Sequence, residues 1–555
     1  MKKSKYADWT KEDLTKRIEA LEKRKKYGLV WEEEKTKEKF EADAEGNLPV
    51  LVEDKKRGIK TDSDKPTHIL IEGDNYHALS VLNYTHAKSI DIIYIDPPYN
   101  TGNKDFRYND SYVDREDGYK HSKWLSFMNK RLSLAKSLLK NTGIIFISID
   151  DNEMAQLKLI MDEIFGENNL IQPLVWQSKY TVANDAKYFS RQHEYVLAYA
   201  KNINCSTINL LPRTAEVDKR YSNPDNDPRG DWKSTPLHAK SGTEKSRYEF
   251  VFKNGLKWTA PKGTYPRYSK DTLKELADDN RIWFGKSGQS APSKKTFLSE
   301  VTQGVKCGSL LHYSFFGHTH KANEELASIV GKGKFDNPKP SDLISNLIKL
   351  SETSKEIVVL DFFAGSGTTA HAVMSLNSND KGNRQFILCT DNENNICTDV
   401  CYPRVQKIIE GYKNQQGEKI RGIGGNFKYY KTHFVGSEPT HRNKKLLTDK
   451  SIEMLCIKEN TFDEVINKKD FFIFKSKEKF TAILFNEMKI EEFKSEIKKL
   501  KKPVSVYIFS LEGDDFKEEF ENFKNDIFLC SIPEAILKVY RRIYRVNQIS
   551  LKGKR

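Results

Sequence analysis

The chain has no stretch of about 18 consecutive apolar residues, so the sequence offers no membrane span. Residues 1–28, MKKSKYADWTKEDLTKRIEALEKRKKYG, are basic but lead into no apolar core, which argues against a secretory signal. Cysteine is sparse, with seven scattered among 555 residues. A chain of this length can bury a core without disulfide staples. Cys389, Cys397 and Cys401 lie close in sequence, yet no second ligand cluster accompanies them, so buried thiols are expected there and no metal site. No G-x-x-x-x-G-K-[ST] loop occurs, which excludes a Walker-type ATPase turn. These absences imply a cytoplasmic protein of two to four domains with no membrane contact. Charge is not balanced: 92 Lys and Arg against 78 Asp and Glu give a net +14. Such an excess suits a polyanionic partner, although a lysine-rich proteome would produce it too.

Hydrophobic patterning divides the chain. Residues 1–60 are dense in Lys and Glu, and Leu14, Ile18 and Leu21 fall at helical spacing, which predicts a charged helical arm. Over 61–204 strand-like runs alternate with helical ones: THILIEGDN (67–75), YHALSVLNYTH, SIDIIYID (89–96), SKWLSFMNKRLSLAKSLLK (122–140), GIIFISID (143–150), MAQLKLIMDEIF and EYVLAYAKN (194–202). That alternation predicts a doubly wound, mostly parallel α/β sheet. It stops at 205–332, a segment rich in Gly, Pro, Arg, Lys, Trp and Tyr that reads as an irregular or β-rich insertion. It resumes at 333–435 with PSDLISNLIKLSE, EIVVLDFF (356–363), GTTAHAVMSLN and QFILCTDNE. Residues 436–555 read as a separate, smaller α/β domain that ends in an amphipathic helix.

Two stretches carry chemistry. In LDFFAGSGTTAHAV (360–373) a buried strand ends at Asp361, a turn containing Gly365 and Gly367 follows, and a helix begins. Such a turn lets the backbone approach a ligand closely beside free N–H groups. It is short for a dinucleotide pyrophosphate and suits a smaller ligand with a carboxylate and an amine, whose cation Asp361 can hold. The next strand ends in TDNE, where Asp391 and Glu393 both qualify to accept bonds from ribose hydroxyls. The other stretch is IIYIDPPYNTG (92–102), in which Asp96, Pro97, Pro98 and Tyr99 follow a run of buried residues. A carboxylate and a backbone carbonyl held by stiff prolines present two acceptors to an exocyclic amine, and Tyr99 offers a face on which a base can stack, worth about 1–3 kcal/mol. Joined in one sheet, Asp96 and Gly365 sit at the carboxyl ends of neighbouring strands, where open α/β sheets bind ligands.

DPPY followed by DFFAGSGTT resembles the catalytic and cofactor motifs of S-adenosylmethionine-dependent amino-methyltransferases of DNA, in the permuted order of the β class. The stretches DPPYNTGNKDFRYND, DGYKHSKWLSFMNKRL, NPDNDPRGDW, RIWFGKSG, DNPKPSDLI and GGNFKYYKT make the likeness nearest to the modification (Mod) subunit of type III restriction–modification systems. The resemblance runs from about 68 to 435. It implies that Asp96, Pro97, Pro98 and Tyr99 form the target-amine site. It implies that Asp361, Phe363, Ala364, Gly365, Gly367 and Thr368 cradle S-adenosylmethionine. Lys339 and Pro340 would lie near its methionine end, and Asp74 near its adenine. A target adenine would have to flip out of the duplex to reach Asp96. The insertion would be the recognition domain, with Arg213, Lys219, Arg220, Arg229, Lys233, Arg247, Arg267, Arg281 and Lys286 as candidate contacts to phosphates and guanine edges of double-stranded DNA. The resemblance also implies a homodimer and a separate ATP-dependent restriction (Res) subunit, with 436–555 as its docking domain. Relatives that methylate cytosine N4, RNA or protein amides often have Ser or Asn at the first motif position, so Asp at 96 favours adenine N6. A catalytically silent DNA-binding specificity subunit is the alternative of a different class.

Overall fold

The computed structural model describes residues 10–12, 14, 15 and 46–552, apart from 63, 104, 110, 214, 352, 353, 439, 511–515, 522, 524 and 525. Ile18 and Leu21 of the expected arm lie outside the described residues. The chain divides into two units, one of 1–208 with 308–555 and one of 209–307.

The larger unit is built on one sheet. Its strands are β1 (Asn47–Glu53), β2 (Thr67–Glu72), β3 (Ile90–Ile95), β4 (Leu139–Ile149), β5 (Leu170–Trp176), β6 (Glu194–Ala200), β7 (Leu310–Leu311), β8 (Val358–Asp361), β9 (Gln385–Thr390) and β10 (Asn426–Gly436), and they lie in the order β1-β10-β2-β9-β8-β3-β4-β6-β5-β7. From β10 to β4 every neighbour is parallel. β6 runs antiparallel between β4 and β5, and β1 runs antiparallel on β10. Ile92, Ile93 and Ile95 are fully buried, as a central strand covered on both faces requires. The helices α1 (Asn75–Thr85), α2 (Lys120–Leu138), α3 (Met154–Phe165), α4 (Thr319–Val330), α5 (Ser341–Ser351), α6 (Thr368–Asp380) and α7 (Tyr402–Glu410) accompany the sheet. This is the doubly wound α/β fold that the alternation predicts. Among the described residues no helix is long and apolar enough to cross a membrane.

Three boundaries differ from the sequence reading. Asn47–Glu53 is a strand rather than part of a helical arm, because Val50 and Leu51 are fully buried on the sheet. The insertion is shorter than 205–332: Leu310–Leu311 pairs with Val175–Trp176, so 308–332 belongs with the larger unit. The C-terminal region does not form a unit of its own. Its five-stranded sheet, from Asp463–Asn467 to Ile527–Ile532, carries a core of its own, but Met454, Leu455, Ile483, Tyr507, Ile536 and Tyr540 share one apolar cluster with Leu79 and Leu82 of α1. The Tyr540 hydroxyl donates to the Pro49 carbonyl of β1.

The smaller unit pairs Trp232–Pro236 with Ser293–Phe297 antiparallel, and adds Ile282–Trp283 as a third strand. A compact core of Leu237, Phe250, Phe252, Trp258, Leu273 and Ile282 holds it, with a helix at Lys270–Asp278 that is N-capped by Ser269.

Candidate active site

Four adjacent parallel strands each deliver one acid at their carboxyl ends. In sheet order these are Asp74 after β2, Asp391 after β9, Asp361 ending β8 and Asp96 after β3. Val359 and Leu360 of β8 lie level with Ile92 and Ile93 of β3, which sets Asp361 beside the strand that leads to Asp96.

Asp361 is 2% exposed. Its Oδ1 accepts the Phe363 N–H at 3.0 Å and its Oδ2 the Thr369 hydroxyl at 2.5 Å. Burial pushes its carboxyl up to about 7 against these two bonds, and the Asp96 charge adds to the rise. A cation placed here by a ligand would favour the ionised form, so a buried, half-protonated carboxylate fits an ammonium-bearing ligand. The turn beyond it has Gly365 at φ 48° and Gly367 at φ 76°. A Cβ on Gly365 would meet the Phe335 ring at 3.2 Å, and one on Gly367 the Cys401 sulfur at 3.1 Å. Both glycines therefore answer to protein neighbours as well as to any ligand. The Ala364 N–H donates to the Cys389 carbonyl at 3.1 Å, and the Phe363 ring lies 5.8 Å from that of Phe127. Thr368, expected among the ligand contacts, turns inward instead. Its hydroxyl accepts from the buried Arg404 guanidinium at 2.8 Å. Arg404 also meets Glu325 at 2.6 Å, and Glu325 lies 2.6 Å from His371. Burial alone would raise the Glu325 carboxyl, but His371 and Arg404 hold it down at about 2. This cluster from α4, α6 and α7 braces the turn from beneath.

Asp74 caps α1 by accepting the Tyr76 N–H at 2.8 Å, and it meets Arg131 at 3.1 Å. Arg131 is buried and also reaches Asn75 at 2.5 Å, while Asn75 donates to the Phe362 carbonyl at 2.9 Å. Of the two acids after β9, Glu393 is engaged by Arg107 at 2.9 Å and by the Tyr112 hydroxyl at 3.3 Å. Asp391 is exposed, and its Oδ1 accepts only the Glu393 N–H at 3.2 Å among the described contacts. Partial desolvation, with Glu393 and Asp74 nearby, pushes the Asp391 carboxyl upward.

The Asp96 pocket is closed by groups from distant parts of the chain. Lys339, 8% exposed, places its ammonium 2.9 Å from Asp96 Oδ2 and 3.4 Å from Glu194 Oε2. The Tyr99 hydroxyl reaches Asp96 Oδ1 at 2.9 Å and Glu194 Oε2 at 3.0 Å. Lys339 lies 5.0 Å over the Tyr99 ring and 6.0 Å from that of Trp176. Burial pushes the Asp96 carboxyl up against the pull of Lys339. Burial pulls Lys339 the other way, yet the two carboxylates outweigh it and raise its ammonium. The Pro98 carbonyl is already bound by Trp124 Nε1 at 2.7 Å, which fixes the proline pair. Lys339 thus stands at Asp96 rather than at the glycine turn, while Pro340 packs on the segment at Gly317.

In the smaller unit, four of the nine basic residues expected at DNA hold their own fold. Arg281 forks onto Glu300 at 2.6 and 2.7 Å, and Arg229 binds Asp227 at 2.9 Å. Arg213 binds Asp218 at 2.7 Å, and Arg247 donates to the carbonyls of Ala260, Pro261 and Thr264. Bidentate and charge-assisted bonds of this kind occupy the guanidinium face that would read a base. Arg220, Lys233, Arg267 and Lys286, with Lys219, are exposed.

Sequence reasoning missed Glu194, Trp176, Trp124, Arg131 and the Glu325–His371–Arg404 cluster. Glu194 had a signal: it opens the run EYVLAYA, and an antiparallel strand brings its first residue, not its last, to the ligand edge.

The DNA methylase family model matches residues 90–401, from the first residue of β3 through the glycine turn to the residue before α7. That is more than half of the chain, and the chain belongs to this family. It is 36% identical over 408 residues to the Mod subunit of the type III restriction–modification enzyme StyLTI of Salmonella typhimurium, covering 68% of this chain and 61% of that one. It is 33% identical to the EcoPI Mod subunit of Escherichia phage P1, covering 62% and 61%. It is 31% identical to the type II methyltransferase M.KpnI of Klebsiella pneumoniae, covering 67% and 92%. The chain spans about three fifths of the length of the two type III relatives.

Proposed function

We propose that the chain is an S-adenosylmethionine-dependent DNA adenine-N6 methyltransferase that serves as the cytoplasmic modification and recognition subunit of a type III restriction–modification system. The observation that carries this reading is the juxtaposition, on neighbouring parallel strands, of Asp96-Pro97-Pro98-Tyr99 with the Asp361–Gly367 turn. Asp361 and the Phe363–Gly365 backbone would hold the methionine part of the cofactor, and Asp391 its ribose, since Glu393 is tied to Arg107. Asp74 stands beside Asp391 for the adenine end. The bound cofactor supplies an electrophilic methyl on a sulfonium.

Asp96 and Tyr99 receive the flipped base. Asp96 accepts a hydrogen of the exocyclic amine, which localises the nitrogen lone pair. For this, Lys339 must give up part of its contact with Oδ2 while it keeps the carboxylate ionised. With the cofactor bound, the amine nitrogen held by Asp96 and Tyr99 would be the acceptor of that methyl, and its surplus proton would afterwards pass to solvent. Placement and electrostatics carry the rate. The unit 209–307, with exposed Arg220, Lys233, Arg267 and Lys286, is the reading surface for DNA. The type III relatives are named as Mod subunits of restriction–modification enzymes, which supports a separate partner subunit (Res); its docking on the C-terminal region and a homodimer through the methyltransferase core are part of the same proposal.

The test is mass spectrometry of nucleosides from DNA of a host that lacks other methylases. Expression of the protein should produce N6-methyladenine, and Asp96→Ala should abolish it while cofactor affinity stays within about threefold. N4-methylcytosine instead, or undiminished product from Asp96→Ala, refutes the assignment.

A further inference from the structure

The connection from β5 to β6 leaves the sheet at the active site and carries the two most exposed aromatic side chains among the described residues: Tyr188 at 80% and Phe189 at 95%. Its two stems are part of the pocket. Trp176, which ends β5, pairs across the sheet with Glu194, which begins β6 and accepts the Tyr99 hydroxyl. The base of the connection is fastened. Ser178 accepts the Thr319 N–H at 3.0 Å, and Lys179 N–H donates to the Gln192 carbonyl at 3.1 Å. Tyr180 packs 4.9 Å from His318 and 5.7 Å from Tyr313, and Arg191 binds Asp150 at 2.9 Å. The tip beyond, residues 181–189, is exposed apart from half-buried Ala186. Val182 adds a third apolar group there, 65% exposed, and Lys187 sits 5.2 Å from the Tyr188 ring.

A single exposed apolar side chain needs no explanation. Adjacent, nearly bare aromatics on a fastened stem beside exposed Lys179 and Lys187 are a different feature. The basic residues suit a phosphate backbone, and flat apolar rings suit a base stack. Phe189 is five residues from Glu194, so its Cα lies at most roughly 18 Å of extended chain from the pocket. That reach is commensurate with a DNA groove about 12 Å wide. If a base is drawn to Asp96, a hole is left in the duplex, and filling it with an apolar wedge lowers the cost of extrusion.

We propose that Tyr188 and Phe189 form a wedge that enters the DNA base stack and fills the place vacated by the target base. The proposal rests on the DNA-methyltransferase reading above and deepens it. The partner is duplex DNA, recognised through its stacked bases and not through its sequence.

The test compares methylation rates on one duplex carrying the enzyme's own site, identified from modified plasmid DNA of the expressing host. The duplex is prepared in two forms, with the target adenine paired to thymine and with it opposite an abasic position. Tyr188→Ser combined with Phe189→Ser should lower the rate on the paired duplex on the order of tenfold to a hundredfold. On the abasic form the double variant should come within about threefold of wild type, because extrusion there breaks no base pair. Phe189→Trp should retain the rate on both. Equal losses of the double variant on the two duplexes, or no loss on either, overturn the wedge while leaving the methyltransferase reading intact. So does a changed sedimentation coefficient with an undiminished rate, which would make the tip a contact between protein copies. Wild-type protein that methylates neither duplex overturns both.

Discussion

Asp361 makes a quantitative demand on the pH dependence of cofactor binding. Its buried carboxyl sits at about 7 in place of 3.8. In the ligand-free protein the neutral form is therefore favoured below about pH 7. That contribution to stability is complete below pH 4 and is lost as pH rises through 7, on the order of 4 kcal/mol in all. An ammonium-bearing ligand reverses the preference, because its cation needs the ionised carboxylate. Binding must then expel one proton at acidic pH, and affinity falls tenfold per pH unit below about 7. From pH 7.5 to 5.5 the affinity for S-adenosylmethionine should drop about 25-fold. Above about pH 8 it should fall again as the ligand's own α-ammonium deprotonates. Calorimetric titration in buffers of different ionisation enthalpy reads both quantities, and at pH 6 it should report release of close to one proton. Asp361→Asn should bind more weakly at pH 7.5, show a flat acid limb, and unfold at a higher temperature than wild type at pH 8 without ligand. An affinity that changes less than threefold between pH 5.5 and 7.5 in the wild-type protein, with no proton release, would refute the assignment of Asp361 as the cation's partner.

Two other expectations follow from the packing. Lys339→Met leaves Asp96 and Glu194 facing each other around the Tyr99 hydroxyl without a cation, which raises the Asp96 carboxyl further. Its methylation rate should fall steeply at pH 6.5 and recover as pH rises to 8.5, and an identical pH profile to wild type would contradict the pairing. Deletion of 436–555 removes Met454, Leu455, Ile536 and Tyr540 from the cluster that covers α1. Each large apolar side chain lost from such a cluster costs about 2–5 kcal/mol, so the truncated protein should be insoluble or molten by near-ultraviolet circular dichroism, whereas a folded, cofactor-binding truncate would show that the methyltransferase sheet stands alone.

The alternation of apolar runs made the central sheet legible, because a strand buried on both faces leaves a continuous run such as Ile92-Ile93-Tyr94-Ile95 and a covering helix leaves a period near 3.6. Strands at the margins were not legible on those terms. Asn47–Glu53 has an apolar run, Val50-Leu51-Val52, but it is short, holds Pro49 and follows a Lys/Glu-rich segment that masks it, while Asn426–Gly436 interrupts its apolar residues with Lys428 and Lys431. The limit of the insertion was hidden for a related reason. Leu310–Leu311 is a two-residue strand, and nothing local distinguishes two leucines from a loop until Val175 and Trp176 are beside them.

For the site, the motifs told which residues meet the chemistry but not which residues support them. Asp96 and Tyr99 were legible because an acid and two prolines at the mouth of a buried strand have few structural uses. The groups that set the state of Asp96 come from elsewhere, Lys339 at 243 residues' separation and Glu194 closer to Tyr99 in space than in sequence. Their roles depend on strand direction: had β6 run parallel like its neighbours, Glu194 would lie at the far edge of the sheet and Tyr195–Ala200 would climb toward the ligand. One antiparallel strand thus converts a surface-type residue into a pocket wall, and the same reversal turns the β5–β6 connection into a loop over the site rather than beneath it. Burying two carboxylates and a tyrosine hydroxyl around one ammonium is stable only while all four remain together. A base that enters must therefore replace the contact it disrupts, and an exocyclic amine donating to Asp96 does so.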